Sequence, residues 1–227
     1  MTDLRILAFD TSGPFVTAAV LKDGSLLAAS EIDMARGQAE ALVPFLEAQL
    51  EEAGIGWDAL DLIAVGVGPG NFTGIRISVA AARGFALSLG IPAMGVSAFE
   101  TLRDPDEGYS SHPADLVSVP APREQAYVQA FRFERADGEA RLIDPTHPPR
   151  DLARMNLRVL GHRADEIAAA FGVPHVVVEV ANRAARIARI AEWRWSFLEE
   201  KPGRPAPLYV RPADAAPASD PPPVILP

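Results

Sequence analysis

The stretch Gly68-Pro-Gly-Asn-Phe-Thr-Gly-Ile-Arg76 constrains this chain more than any other, because an element can be read on each side of it. Upstream, residues 62–67 form an uninterrupted apolar run bounded by turn residues, which predicts a buried strand of a parallel sheet. Downstream, residues 72–89 are long and apolar enough for a helix, with Asn71 placed as its N-cap. A strand, a glycine turn and a helix N-terminus make a nest whose N–H groups can accept an anion, so Gly68, Gly70 and Asn71 are candidate contacts. Spacing excludes two phosphate loops. No Lys-Ser/Thr pair follows Gly74, and Gly66, Gly68, Gly70 and Gly74 do not form GxGxxG.

The 227 residues fit one large domain or two small ones, and 48% apolar content is ample for a packed core. A formal charge of −9 argues against gripping nucleic acid unaided, since neutralising phosphates needs a basic face. The absence of cysteine excludes disulfides and thiolate metal sites. The chain enters its first strand without a charged-then-apolar leader, and no apolar run reaches the length of a membrane span. A cytoplasmic protein with no membrane partner is the expectation.

Residues 4–10, 15–21 and 26–32 are short apolar runs separated by turn residues, which predicts three antiparallel strands. Residues 38–53 follow as an amphipathic helix with Leu42, Val43, Leu46, Leu50 and Ala53 at helical spacing, ended by Gly54 and kinked or broken near Pro44. Next come the strand to Val67, the helix 72–89, a strand 91–95 and a helix from Ser97. The order βββαβα predicts an α/β fold with an RNase H-like half of the actin, hexokinase and Hsp70 type, the ASKHA class. A reduced second copy is read from strands at 115–119, 125–133, 140–143, 158–160 and 175–180 with a helix over 164–171. A last helix is predicted over 182–199. Its Arg183, Arg186 and Arg189 lie three apart, which reads as a solvated face rather than a stripe that faces nucleic acid. The predicted domains are 1–105 and 106–211, with the last helix able to pack back on the first, followed by a mobile proline-rich tail over 212–227.

Ile6-Leu-Ala-Phe-Asp-Thr-Ser12, the glycine turn and Gly95-Val-Ser-Ala-Phe-Glu-Thr-Leu102 occur in the order and spacing of the TsaB (YeaZ) family, which residues 4–102 resemble. Beyond them, only Pro207-Leu-Tyr-Val-Arg211 resembles that family's C-terminal motif. The resemblance implies a non-catalytic subunit needed for threonylcarbamoylation of the adenosine beside the anticodon in tRNAs reading A-starting codons. It implies pairing with TsaD through the first two helices, engagement of TsaE, contact with tRNA only through the complex, and a homodimer as an alternative in isolation.

The chemistry available is sparse. Asp10, Thr11 and Ser12 supply a carboxylate and two hydroxyls, which suit either nucleotide contact or a hairpin cap. TsaD holds its metal with His-x-x-x-His on the first helix, whereas this chain has Arg36-Gly-Gln-Ala-Glu40 there. Its four histidines, His112, His147, His162 and His175, are scattered. Gln38 stands where TsaB proteins carry a histidine, and Pro120-Ala-Pro-Arg-Glu-Gln125 departs from the family's Asp-Ala-Arg. No cofactor is expected of the chain itself, with ATP or ADP and Mg²⁺ confined to a complex interface. The competing reading is a stand-alone ATP-dependent small-molecule kinase using Asp10. For the partner surface, the seam Gly74, Ser78, Ala81 and Phe85, with Gln38, Leu42 and Leu46 of the preceding helix, is the candidate; an internal core helix is the alternative.

Overall fold

The computed structural model describes residues 4–103, 113–133, 135–178, 180–200 and 202–210. The expected tail over 212–227 lies outside them.

Three antiparallel strands, β1 (Arg5–Asp10), β2 (Phe15–Lys22) and β3 (Ser25–Asp33), open the chain. Helix α1 (Gln38–Ala53), β4 (Leu62–Gly66), α2 (Phe72–Leu89), β5 (Ala93–Val96) and α3 (Ala98–Arg103) follow. The first sheet has the order β3-β2-β1-β4-β5, with β4 and β5 parallel to β1. Helix α1 is ended by Gly54 in the left-handed region, φ 66°, and runs unbroken through Pro44. The break expected there is absent because Pro44 lies on the exposed side, where water can satisfy the Glu40 carbonyl that loses its donor.

The second sheet contains β6 (Ala114–Pro120), β7 (Ala126–Arg132), β8 (Arg135–Ala136), β9 (Arg141–Ile143), β10 (Leu157–Gly161) and β11 (His175–Val176). Its order is β11-β10-β6-β7-β8, with β9 also on β7; β10 runs parallel to both β6 and β11. Two hairpin strands beside a parallel trio repeat the first sheet's plan. Helix α4 (Ala164–Phe171) covers it, but a single 3-10 turn at Arg150–Leu152 stands where the first half has α1. β11 stops at Val176, short of the expected 180, and β8 was not expected from sequence.

Helix α5 (Arg183–Trp195) is four residues shorter than predicted at its C-terminus. Its Ala184, Ala188 and Ala191 pack beside Ile6, Ala8, Leu62 and Ala64 on one face of the first sheet, while α1 and α2 cover the opposite face around Leu7, Phe9, Ile63 and Val65. Small residues along α5 let it approach the sheet closely. The arginines do not form the solvated face expected: Arg183 pairs with Glu31 and lies over the Phe15 ring, and Arg186 donates to the Thr101 carbonyl at 2.9 Å.

The chain then returns across the first half. Leu208 N–H donates to the Val67 carbonyl at 2.8 Å, Arg83 donates to the Pro205 carbonyl at 2.7 Å, and Arg76 donates to the Tyr209 hydroxyl at 2.9 Å. Leu208 packs against the α1–α2 core and also against the core beside α3, so this strap ties the halves together.

Candidate functional site

The two sequence motifs meet. Asp10 ends β1, and its carboxylate accepts the Ser12 N–H at 2.7 Å and the Ser12 hydroxyl at 2.8 Å. The next turn is held from α2: the Thr11 hydroxyl donates to the Gly74 carbonyl at 2.7 Å, and the Asn71 N–H donates to the Ser12 carbonyl at 2.6 Å. Asn71 also caps α2 by accepting the Gly74 N–H at 2.9 Å. Glycine is required here by closeness: a Cβ at Gly70 would collide with the Ser12 carbonyl, and one at Gly74 with the Thr11 carbonyl. From the other side, Gln38 Nε2 donates toward the carbonyls of Thr11, Gly13 and Phe15 at 3.3, 2.6 and 2.9 Å.

Asp10 is 5% exposed, and burial pushes its carboxyl above the usual carboxylate range, opposed by the bonds from Ser12 and by the Arg183 charge. It packs against the bare backbone of Gly66. Both oxygens of the Asp10 carboxylate thus serve the adjacent turn. The Ser12 and Thr11 carbonyls likewise face the glycine turn where a phosphate would need donors. Among the described residues, no group of three or more His, Asp or Glu side chains could hold a metal ion.

A cavity of about 670 Å³ opens beside these turns, between the halves. Asp10, Glu31, Asp33 and Arg183 line one part of it, with Val119 and Tyr127 of the second sheet opposite. Sequence reasoning did not find Glu31 or Asp33 and set Arg183 on a solvated face; they come from β3, its end and α5, and nothing in their local spacing announces that they converge.

The residues expected to form a partner seam are placed inward. Gln38, Leu42 and Leu46 are 8%, 1% and 0% exposed, and Ser78 is fully buried, donating to the Gly66 carbonyl at 3.2 Å. Gly74 is buried against Thr11. Ala81 and Phe85 are half-buried, with the Phe85 ring 4.6 Å from Trp57 and edge-on to Phe9. The seam therefore faces the chain's own sheet. What α2 presents outward is Thr73, Arg76, Ala80, Arg83, Gly84, Leu87 and Ser88, with Leu87 81% exposed, while α1 presents Val43 at 41% among its exposed residues.

Two sheets that share one strand plan, with a cleft between them and an interlocked pair of turns in the first half, make this an α/β protein of two related halves. A family model described as "TsaD: tRNA N6-adenosine threonylcarbamoyltransferase" matches residues 32–144. A relative from Mycobacterium tuberculosis, itself uncharacterised, is 32% identical over 216 residues, covering 93% of this chain and 94% of its own. The "tRNA threonylcarbamoyladenosine biosynthesis protein TsaB" of Escherichia coli is 34% identical over 99 residues, which are 44% of this chain and 42% of that one. A crystal structure of a Pseudomonas aeruginosa protein with similarity to peptidase YeaZ superposes with a TM-score of 0.72 at 25% identity, covering 92% of this chain and 100% of that one. The chain belongs to the TsaB (YeaZ) family.

Proposed function

We propose that this chain is a non-catalytic subunit of the machinery that makes threonylcarbamoyladenosine in tRNA, pairing with TsaD and supporting engagement of TsaE. Family membership supports the pathway. The observation that carries the non-catalytic role is the interlocking of the Asp10–Ser12 turn with the Gly68–Gly74 turn, which commits Asp10 to structure rather than to a reactant. The formal charge of −9 supports contact with tRNA through the complex rather than by the chain alone. No cofactor is assigned to this chain; ATP or ADP with Mg²⁺ belongs to an interface of the complex.

The pairing face in this reading is the outward side of α1 and α2 around Val43, Ala80, Gly84 and Leu87, and the buried seam beneath it supports that face. Reconstituting tRNA threonylcarbamoylation from purified components, with and without this chain, tests the reading. Modification should depend on the chain, and the pure chain should neither hydrolyse ATP nor modify tRNA. ATP turnover by the pure protein that is lost on Asp10→Ala would overturn the proposal in favour of a small-molecule kinase.

A further inference from the structure

We propose that the carbonyls of Thr11, Gly13 and Phe15 form a cage for a cationic or N–H-bearing head group, and that Gln38 fills it as the positioning residue that fastens the β1–β2 turn to the start of α1. The three oxygens lie 3.3, 2.6 and 2.9 Å from one atom, Gln38 Nε2. Three acceptors around one end of a side-chain amide fix that end as the NH₂ group, which has only two hydrogens to offer. The cage is thus richer in acceptors than a neutral amide can satisfy, and a full positive charge would suit it better.

The position is otherwise weakly held. Gly37, the residue before α1, has φ 82° and no side chain to cap the helix, so Gln38 provides the tie between helix and turn. Gln38 is only 8% exposed, so the carbonyls it serves would be left poorly satisfied without it. The charged groups sharing this wall of the cleft are Asp10, Glu31, Asp33 and Arg183. Asp10 is engaged by Ser12 and Arg183 by Glu31, so neither is the partner of these carbonyls.

The test is thermal unfolding of the isolated full chain between pH 5 and pH 8, independent of any partner. Gln38→Glu places an acceptor against three acceptors and should lower Tm further than Gln38→Ala, by more than about 5 °C relative to the unsubstituted chain at pH 8. Gln38→His should restore stability at low pH, since the cage binds imidazolium. That gain should vanish as pH rises through an imidazole pKa raised above about 6.5, a profile that lost packing volume alone does not give. Gln38→Lys should fold even if Gln38→Ala does not. A Gln38→Glu variant no less stable than Gln38→Ala, a Gln38→His pH profile parallel to that of the unsubstituted chain, or a Gln38→Lys variant that fails to fold would each overturn the cage.

Discussion

Thr11 and Gly74 are fastened to each other twice: the Thr11 hydroxyl donates to the Gly74 carbonyl at 2.7 Å, and the Thr11 carbonyl occupies the space a Gly74 side chain would need. One contact joins the end of β1 to the first turn of α2 across 63 residues of sequence. It explains why a hydroxyl and a glycine must appear in two motifs so far apart.

Gly74→Ala tests that contact through the sign of its effect. In an open helix position alanine would stabilise by about 1 kcal/mol over glycine. Here the added methyl meets backbone rather than a movable side chain, so the substitution should destabilise by about 1–3 kcal/mol in urea unfolding. A gain in stability would mean that the two turns are free to separate.

Ser78 and Leu87 lie on opposite sides of α2 and should respond differently to arginine. Ser78→Arg buries a charge under the sheet and should leave no folded protein by circular dichroism. Leu87→Arg replaces a side chain that is 81% exposed and should change stability by less than about 0.5 kcal/mol while abolishing sedimentation with TsaD. Retained pairing of Leu87→Arg would place the contact elsewhere.

Asp115 is held on both sides by arginine, with Arg158 at 2.7 Å and Arg103 at 3.0 Å, and its side chain is 1% exposed. Asp115→Asn removes the charge that both guanidinium groups share. It should cost about 3 kcal/mol, with little dependence on salt because the pairs are shielded from solvent. Equal denaturant midpoints for the two forms would show the triad to be dispensable.

Asp10 predicts a pH dependence of a definite sign. Its folded pKa is raised, so the folded state holds the proton more tightly than the unfolded chain, whose value is near 3.8. Its contribution to stability is therefore greatest below that value and declines as pH rises through the raised folded pKa. Asp10→Asn, which cannot ionise, should flatten this part of the stability profile. An unchanged slope in the variant would assign the dependence to other groups.

The sequence by itself determined the first half almost residue by residue, because its signals are local. Alternating and continuous apolar runs marked the strands, Asn71 announced the start of α2, and Gly54 the end of α1, and each needs only near neighbours to act. The motifs also identified the family, since Asp10–Ser12 and Gly68–Arg76 can be read as strings. Tertiary structure alone decided what those strings do. Helix α2 is small or apolar on nearly every side, so periodicity could not tell which row meets the sheet; the close approach of Thr11 and Gly66 selected Gly74 and Ser78 for the inside and left Ala80, Gly84 and Leu87 outside. The arginines of α5 look alike in sequence, and only the arrival of Glu31, Phe15 and Thr101 beside them shows that they join elements rather than face water. Gln38 appeared as the loss of a histidine, whereas the fold makes it a donor to three carbonyls from a turn more than twenty residues away, a role set by convergence in space that no spacing along the chain encodes.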